Sequence, residues 1–383
     1  MRIRVVAILS VLLFVGFNAK AQEYSIFIDG RDTIYYNYAP VSQRSKPKQF
    51  KTNFIIAPLY TPATSFALGA AVQSSYNTIN GGYINQSLLS VAAVASVKGM
   101  YSVDVSNSTP FRNGKHRITA AIRASSMPTK FWGIGYNAAC TNSAIQYTRQ
   151  HYSAQIGHLY RVVKHLHLGT QLDVEYSRCG KNGEAIIPLL SANAKRDVIA
   201  TTISAIAKYD SRDSKQNPQK GLYISLNPLV RPAWLSDAEK TSFGIIGSAA
   251  FYQKLWHGAV LAGELYTQLN SKHTPWQFYA RLGDNHRMRG YYEGRFIDRN
   301  MATIQAELRQ DIWMGIGVAV WGGAGNCFDS FANFKWQHTL PSYGLGVRWV
   351  ASDNLVLRFD YGFGAKAGGK LINGALFAIG SAF

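Results

Sequence analysis

Five arginines stand close together in one polar stretch of the sequence, and their chemistry is the first lead to function. They lie in or just before RMRGYYEGRFIDRN (287–300): Arg281, Arg287, Arg289, Arg295 and Arg299. A guanidinium binds carboxylates and phosphates through paired hydrogen bonds, and it is costly to bury without such a partner. The stretch is therefore either an exposed basic loop that contacts phosphate groups or a loop whose arginines are paired inside a polar interior.

Residues that could catalyse a reaction are sparse. His165 and His167 fall on one face of a predicted strand, yet no cysteine or carboxylate stands at a recognisable metal-ligand spacing from them. No G-x-S-x-G elbow occurs. We predict a protein that is not an enzyme and that holds no metal and no cofactor. A lipid-acting enzyme stays open as an alternative, because a Ser/His/Asn site assembled from separate strands cannot be recognised from spacing.

The first twenty-one residues have the pattern of a secretory signal peptide. Two arginines precede an apolar core at residues 5–17, and Ala19-x-Ala21 predicts cleavage before Gln22. The predicted organisation is a signal peptide (1–21), a short periplasmic tail (22–52) and one larger domain (53–383).

Charge and compartment together narrow the partners. The chain has 40 Lys and Arg against 21 Asp and Glu, and removal of the signal peptide leaves 37 against 21, a net charge of +16. An exported protein meets little nucleic acid, so we expect anionic lipid, lipopolysaccharide or a basic channel interior to account for this charge. Cys140, Cys179 and Cys327 are too few and odd in number for a disulfide framework. One bridge and three free thiols are both compatible with them.

Apolar and polar residues alternate with period two through most of the chain. No apolar run reaches the ~18 residues of a membrane helix. In NLVLRFDYGFG (354–364), Leu357, Phe359 and Tyr361 share one face, and Arg358 and Asp360 share the other. Strands of roughly 10–14 residues with charges at mid-strand suit a membrane barrel with a wet interior better than a soluble sandwich.

The pattern predicts an all-β fold, a transmembrane antiparallel β-barrel of about 16 strands. The predicted strands are 53–62, 65–76, 86–97, 101–108, 115–125, 145–161, 164–178, 196–210, 221–231, 241–256, 257–270, 300–313, 314–326, 340–350, 354–364 and 374–383. With the amino terminus in the periplasm, residues 271–299 form the sixth extracellular loop. Its length of nearly thirty residues is typical of a functional loop.

Two further patterns fit a membrane barrel. Four aromatic residues near strand ends are predicted to form interfacial girdles: Tyr252, Trp256, Trp313 and Trp349. The chain ends in ALFAIGSAF, where Phe377, Ile379 and Phe383 share one predicted face. We interpret these three residues as a C-terminal insertion signal for the barrel assembly machinery.

Several motifs resemble the BamA/TamA-type outer-membrane barrels, the bacterial surface antigen family. Met288-Arg289-Gly290-Tyr291 is similar to the family's (V/I)RG(F/Y) motif at the tip of the sixth loop, which in the family folds into the lumen. YDSRDSKQNPQKG (209–221) resembles a periplasmic hairpin motif through Asp210, Arg212, Asp213, Pro218 and Gly221. GLGVRWVASDNLVLRFDYGFG (344–364) resembles the closing hairpin, and FWGIG (131–135) is a weaker match.

The sequence departs from the family pattern at two places. Residues 22–52 are too few to house a periplasmic POTRA module, so we expect a member without POTRA domains. In addition, Gly323 stands in WGGAG (321–325) where the family has an aspartate that receives the loop arginine. We therefore predict Glu307 as the partner of Arg289 and Asp311 as the second choice. Arg309, beside Glu307 on the inward face, needs a partner of its own or an anion.

The resemblance and the residues leave three functions open. The first is a pore or conduit across the outer membrane, with loop six locking a basic, anion-favouring lumen. The second is a part in inserting or exporting polypeptides through a weak seam between the first and last strands, since Gly374 and Gly380 weaken the last strand. The third is the lipid-acting enzyme. A separate periplasmic partner is compatible with any of them.

Overall fold

The computed structural model describes residues 50–61, 65–76, 87–111, 114–190, 194–214, 217–352, 355–367, 370–379 and 382–383. The predicted signal peptide and nearly all of the predicted tail lie outside the described residues. No helix in the described ranges is long and apolar enough to cross a membrane.

Antiparallel strands make up almost the whole of the described chain. In chain order they are β1 (Phe50–Thr61), β2 (Ser65–Tyr76), β3 (Ser87–Ser96), β4 (Tyr101–Phe111), β5 (His116–Phe131), β6 (Ile145–Val163), β7 (Leu166–Cys179), β8 (Val198–Asp210), β9 (Gly221–Arg231), β10 (Ser242–Lys254), β11 (Ala259–Asn270), β12 (Ala280–Leu282), β13 (Phe296–Asp298), β14 (Asn300–Trp313), β15 (Ile316–Phe328), β16 (Leu340–Ser352), β17 (Leu355–Ala367) and β18 (Lys370–Ile379). One short α-helix, α1 (Tyr136–Thr141), lies between β5 and β6. Short 3-10 turns occupy Gly183–Leu189, Ala233–Leu235, Trp276–Phe278, Phe331–Asn333 and Trp336–His338.

Sixteen of the described strands close into a barrel, and β12 and β13 form a separate hairpin. Each barrel strand pairs with its sequence neighbour, except that β11 pairs with β14 across the hairpin and β1 pairs with β18. The predicted fold class and strand number are confirmed. The prediction missed the β12–β13 hairpin, which lies inside the segment read as a plain loop.

The two faces of the barrel wall differ as the alternation predicts. On β17, Phe359 and Tyr361 are exposed on the outer face, whereas Arg358 and Asp360 are buried on the inner face. Large apolar side chains are exposed all around the outer wall, with Phe54 at 74%, Ile122 at 64% and Leu345 at 60%. A soluble monomer rarely exposes so extended an apolar surface, and lipid is the medium in which it is stable.

The expected girdle stays a prediction for three of its members and is wrong for the fourth. Trp256 and Trp313 are exposed near the ends of β10 and β14, and Trp349 is half-buried. Tyr252, in contrast, is 3% exposed and packs inside the barrel with Tyr223 and Ala262. Its position in the strand puts it on the inner face, so its type alone was a poor guide.

Candidate functional site

The site is built around Arg289, at the tip of the segment that joins β11 to β14. Its side chain is fully buried, and its Nη1 lies 2.6 Å from Glu307 Oε2 and 3.1 Å from Asp360 Oδ2. Its guanidinium lies over the Trp321 ring, with Cζ 4.0 Å from the ring centroid. Glu307, Asp360 and Trp321 are inner-face residues of β14, β17 and β15, so one arginine joins three strands of the wall.

Three further arginines complete the cluster, which we call the arginine lock: Arg289, Glu307, Arg309, Arg348, Arg358 and Asp360. Arg309 Nε lies 2.8 Å from Glu307 Oε1. Arg348 bridges both carboxylates, at 3.2 Å from Glu307 and 2.6 Å from Asp360. Arg358 lies 2.8 Å from Asp360 and also donates to the backbone oxygen of Asn285 in the loop. Each side chain is at most 9% exposed, so solvent screens these charges weakly.

The structure places Glu307 against Arg289, where the sequence predicts it. Asp311 does not join the lock: it is exposed near the carboxyl end of β14, and its backbone N–H donates to the Gly258 oxygen. It sits four residues further along an extended strand than Glu307, roughly 13 Å away. Arg309 shares Glu307 and has no carboxylate to itself among the described ion pairs. The second acid is Asp360 on β17, which the sequence reasoning did not select.

Residues at other positions of the wall take the place of the aspartate that Gly323 lacks. Gly323 lies on β15 without a carboxylate, and a Cβ there would meet the Ile304 oxygen at 2.5 Å. Trp321, two residues before it, supplies a ring face to the guanidinium. The second carboxylate comes from two strands further along the sheet, in the segment that resembles the closing hairpin.

Close backbone contact holds the loop tip against β17. Gly290 has φ +99°, and a Cβ on it would lie 2.6 Å from the Gly362 carbonyl carbon. Tyr291 follows, donating its hydroxyl to the Pro341 oxygen at 2.6 Å and accepting from the Ala365 N–H at 2.7 Å. Burial raises the pKa of Tyr291 to about 12, so the hydroxyl keeps its proton and donates. The Arg-Gly-Tyr order thus has a steric and hydrogen-bonding reason.

A second ion pair fastens the same loop to β11. Arg287 Nη2 lies 2.8 Å from Glu264 Oε1, and its Cζ lies 3.9 Å over the Tyr266 ring. Gln305 donates to Glu264 at 2.8 Å and to the His286 oxygen at 3.0 Å. Sequence reasoning grouped Arg287 with the loop arginines but found no partner for it. The sequence did contain a signal for this partner. Glu264 stands two residues before Tyr266, so period-two alternation puts both side chains on the same face of the strand.

The remaining arginines of the stretch pack near the ends of the strands that flank the loop. Arg299 pairs with Asp329, and Arg295 lies 5.3 Å from the Trp132 ring centroid. Arg281 lies near Gly294 in the same loop. The FWGIG segment contributes here, because Phe131 packs on Trp276 and Trp132 packs on Tyr292. Of the five arginines, Arg287 and Arg289 therefore form ion pairs with inner-face residues of the barrel, whereas the other three pack near the ends of β11 and β14.

The described residues of the predicted periplasmic hairpin motif form a turn that is hydrogen-bonded through two aspartates. Arg212 donates to both carboxylate oxygens of Asp210, at 2.9 and 3.0 Å, and lies 4.6 Å over the Tyr223 ring. Asp213 Oδ1 accepts the backbone N–H groups of residues 214, 219 and 220. Gly221 has φ +116°, and the Pro218 oxygen accepts from Arg309 at 3.5 Å. The turn is thereby tied to the arginine lock.

Phe377 and Phe383 of the predicted insertion signal lie on different faces of the barrel wall, and their role as a signal stays a prediction. β18 ends at Ile379, and Phe377 lies on the wall opposite Tyr60 of β1. Phe383 does not continue the outward face: its ring packs with Tyr223 and Tyr252 inside the barrel. Its backbone oxygen accepts from Arg309 at 3.4 Å. The alternation in sequence runs past the end of the strand, so periodicity placed Phe383 on the wrong side.

The structure separates the two histidines of the HLH pair. His165 lies in the β6–β7 turn with φ +76°, away from the strand face of His167, and bonds the Asp210 oxygen. The three cysteines are free, and in the described ranges no group of three or more His, Cys, Asp or Glu is arranged to hold a metal.

A closed barrel of sixteen described strands, with an apolar outer wall and a charged interior lock, defines the class of outer-membrane β-barrels. Residues 64–383 match the model of the Omp85 superfamily domain, and the chain belongs to the Omp85 superfamily. Among curated proteins, none matches the chain by sequence.

Solved structures share this fold at low sequence identity. BamA from Haemophilus ducreyi, in a structure lacking POTRA domains 1–3, matches with a TM-score of 0.61 and 13% identity over 88% of this chain and 70% of that one. CdiB from Escherichia coli matches with 0.59 and 11%, over 88% and 64%. CdiB from Acinetobacter baumannii matches with 0.58 and 12%, over 87% and 60%. This chain thus spans less than two thirds of either CdiB protein.

Proposed function

We propose that this protein is a conduit of the bacterial outer membrane whose lumen is closed by loop six. The arginine lock carries the proposal: a loop arginine with no solvent exposure is ion-paired to the inner faces of β14 and β17. Burying six charged side chains is costly unless they pair with one another, and the ion pairs that offset this cost join a loop residue to the inner wall, which supports a loop that crosses the interior. The proposal assigns no chemical step to the chain.

Location and partners follow from the surface. The export pattern and the apolar outer wall support residence in the outer membrane, in contact with its lipid and with lipopolysaccharide. The barrel assembly machinery would insert it, as expected for a barrel of this class. The excess of arginine over carboxylate in the lock favours anions in any path through the lumen.

Single-channel recording in planar bilayers tests the conduit. We expect a small, anion-preferring conductance in the wild type that becomes larger or noisier in Arg289→Ala and Glu307→Ala. Arg117→Ala is the matched control, because Arg117 is also a buried inner-face arginine but its described bond is to Ser108. Absence of conductance in all four proteins would refute the conduit.

A second candidate, polypeptide insertion or export, is favoured by the seam between β1 and β18. Their described register contains one Cα pair, Tyr60 with Phe377, whereas β1 and β2 are paired at twelve positions from Phe50 to Thr61. So short a ladder is the part of the wall that separates at the lowest cost.

A disulfide across the seam distinguishes the two candidates. Tyr60→Cys with Phe377→Cys joins directly opposed positions, whose spacing suits a bridge after small adjustment. The three native cysteines are replaced by alanine in both this protein and its reduced control. Insertion through the seam predicts that oxidation blocks the uptake of a urea-denatured eight-stranded barrel by proteoliposomes. A conduit through the lumen predicts unchanged conductance.

A further inference from the structure

An interior cavity lies on the side of the barrel opposite the arginine lock. Its volume is about 150 Å³, and it is enclosed by the inner faces of β4–β11 on one side and by Gln277, Phe278 and Arg287 of the loop on the other. The lock belongs to β14–β17, so the loop separates the two regions. None of the motifs discussed above accounts for this cavity.

Two of the ion pairs at the cavity are complete. Arg123 lies 2.7 Å from Asp104, and Arg287 is held by Glu264 outside the lining. The remaining ionisable lining residues are Arg149, His151, Asp173, Glu175 and Arg231. With the histidine neutral, the formal charges of the other four cancel.

Arg231 is the best-defined polar group of this set. It is 6% exposed, and its guanidinium lies over the Phe278 ring, with Cζ 4.6 Å from the centroid. Its Nε and Nη1 have no hydrogen-bond partner among the described residues. The neighbouring Thr202 Oγ1, in a residue 3% exposed, is in the same condition. Arg231 and Thr202 are therefore two buried residues that line the same cavity and have polar atoms without a described hydrogen bond.

The strand register sets acids across a gap from these donors. Asp173 of β7 is paired with Thr202 of β8, and extending the β8–β9 register by one residue sets Thr202 opposite Arg231. Two strand spacings separate Asp173 from Arg231, about 10 Å between backbones. No described ion pair closes this gap. Glu175, two residues along β7, also lines it.

A ligand that fits this gap must interact favourably both with the guanidinium of Arg231 and with the carboxylates of Asp173 and Glu175. An isolated anion beside Arg231 would meet the field of two carboxylates, and an isolated cation beside them would meet that of Arg231. A hydroxyl both donates and accepts, so a polyol can donate to the acids and accept from the guanidinium without net charge. The rest of the lining suits it, being largely hydroxyl and amide groups: Ser153, Gln155, Gln171, Ser204, Ser225, Asn227, Ser248, Gln268 and Gln277.

We propose that this cavity binds a small neutral polyhydroxylated solute, of the size of a monosaccharide, between Arg231 and Thr202 on one side and Asp173 and Glu175 on the other. The Phe278 ring, which lies next to the guanidinium, closes the loop side of the site. Binding at this site does not require that the solute cross the membrane. A test of binding is therefore independent of a test of the proposed conduit.

Ligand-observed NMR on the purified full chain in micelles tests the proposal. Saturation transfer from the protein is measured to D-glucose, and in parallel to glycine, inorganic phosphate and putrescine. We expect transfer to glucose above the other three probes. Arg231→Gln and Glu175→Gln should each weaken glucose binding about tenfold or more, since each removes a hydrogen bond to a charged group.

Two variants guard the interpretation. Arg117→Gln removes a buried inner-face arginine that does not line the cavity, and it should leave glucose binding unchanged. Thr202→Val keeps the side-chain shape and removes only the hydroxyl. It tests the site in place of Arg231→Gln if heat-modifiable gel migration shows that Arg231→Gln does not fold. It should weaken binding severalfold.

Three results would overturn the polyol site. The first is no transfer to glucose in folded wild type. The second is equal transfer in wild type, Thr202→Val and Glu175→Gln, which would mean contact elsewhere. The third is preference for phosphate, putrescine or glycine, which would reassign the cavity to an anion, a cation or a zwitterion.

Discussion

The arginine lock is unbalanced in charge, and this leads to a sharp prediction. It holds four arginines and two carboxylates, a formal excess of two positive charges in side chains at most 9% exposed. Replacing Arg289 by methionine lowers the excess to one. Replacing Glu307 by glutamine raises it to three. We therefore predict that Glu307→Gln destabilises the folded barrel more than Arg289→Met does.

The contacts set the two magnitudes. After Arg289→Met, Glu307 keeps Arg309 and Arg348, and Asp360 keeps Arg348 and Arg358. The loss is the charge-assisted bonding of one guanidinium, roughly 1.5–3 kcal/mol, partly offset by reduced repulsion, so about 2 kcal/mol remains. After Glu307→Gln, Arg309 loses its described carboxylate. A buried charge left unpaired costs about 3–5 kcal/mol.

Equilibrium unfolding in detergent micelles measures both. Denaturant titration, followed by heat-modifiable gel migration, gives the free energy of unfolding of wild type and each variant. Asp311→Asn is the control, because Asp311 is an exposed acid of the same strand β14 outside the described ion pairs, and it should change the free energy by less than about 0.5 kcal/mol. A cost for Arg289→Met equal to or above that for Glu307→Gln would refute the charge-balance reasoning and assign the stability to loop docking.

Three further predictions concern the loop. Gly290→Ala should release the loop tip to protease, at a cost of about 1–3 kcal/mol, because it forces a Cβ to 2.6 Å from the Gly362 carbonyl at φ +99°. Gly322→Ala, which meets nothing within 4 Å, should leave proteolysis unchanged. Tyr291→Phe should lower the free energy of unfolding by about 1–2 kcal/mol, since it leaves two partly buried backbone groups without this partner. Burial raises the pKa of Asp298 to about 6, so the folded loop binds this proton more tightly than the unfolded chain, and stability should fall as pH rises from about 4 to 6. Asp298→Asn should match wild type at pH 4 and exceed it at pH 7.5 in thermal unfolding, and a wild-type advantage at pH 7.5 would contradict this assignment.

The sequence pattern predicted the barrel and three of the six residues of the arginine lock, Arg289, Glu307 and Arg309. Period-two alternation fixed which residues of a strand face inward, and so it correctly put Glu307, Arg309, Arg358 and Asp360 on inner faces. It could not tell which inner-face residues meet, because that depends on strand stagger and on where the loop crosses the interior. Asp360 was therefore visible as an inner-face acid and missed as the partner of Arg289.

The errors came where a local pattern was extended beyond its element. Asp311 lies on the correct face of β14 but too far along it to reach the loop. Phe383 follows the alternation of β18 but lies beyond the end of that strand, where contacts with Tyr223, Tyr252 and Arg309 decide its position. Period two predicts a face only while the backbone stays extended.

The lock and the seam lie close together, and their positions suggest a division of roles around the barrel. Arg289, Gly290 and Tyr291 bind the loop to β16 and β17, and the lock extends this bracing back to β14. β18 comes next, and beyond it the described register to β1 is one Cα pair. The loop therefore braces the wall up to β17 and leaves β18 with a full ladder on its β17 side and one described Cα pair on its β1 side. Separation of the wall costs least between β18 and β1, and it breaks none of the ion pairs of the lock. The proposed closure of the lumen and the proposed opening of the seam therefore do not depend on each other.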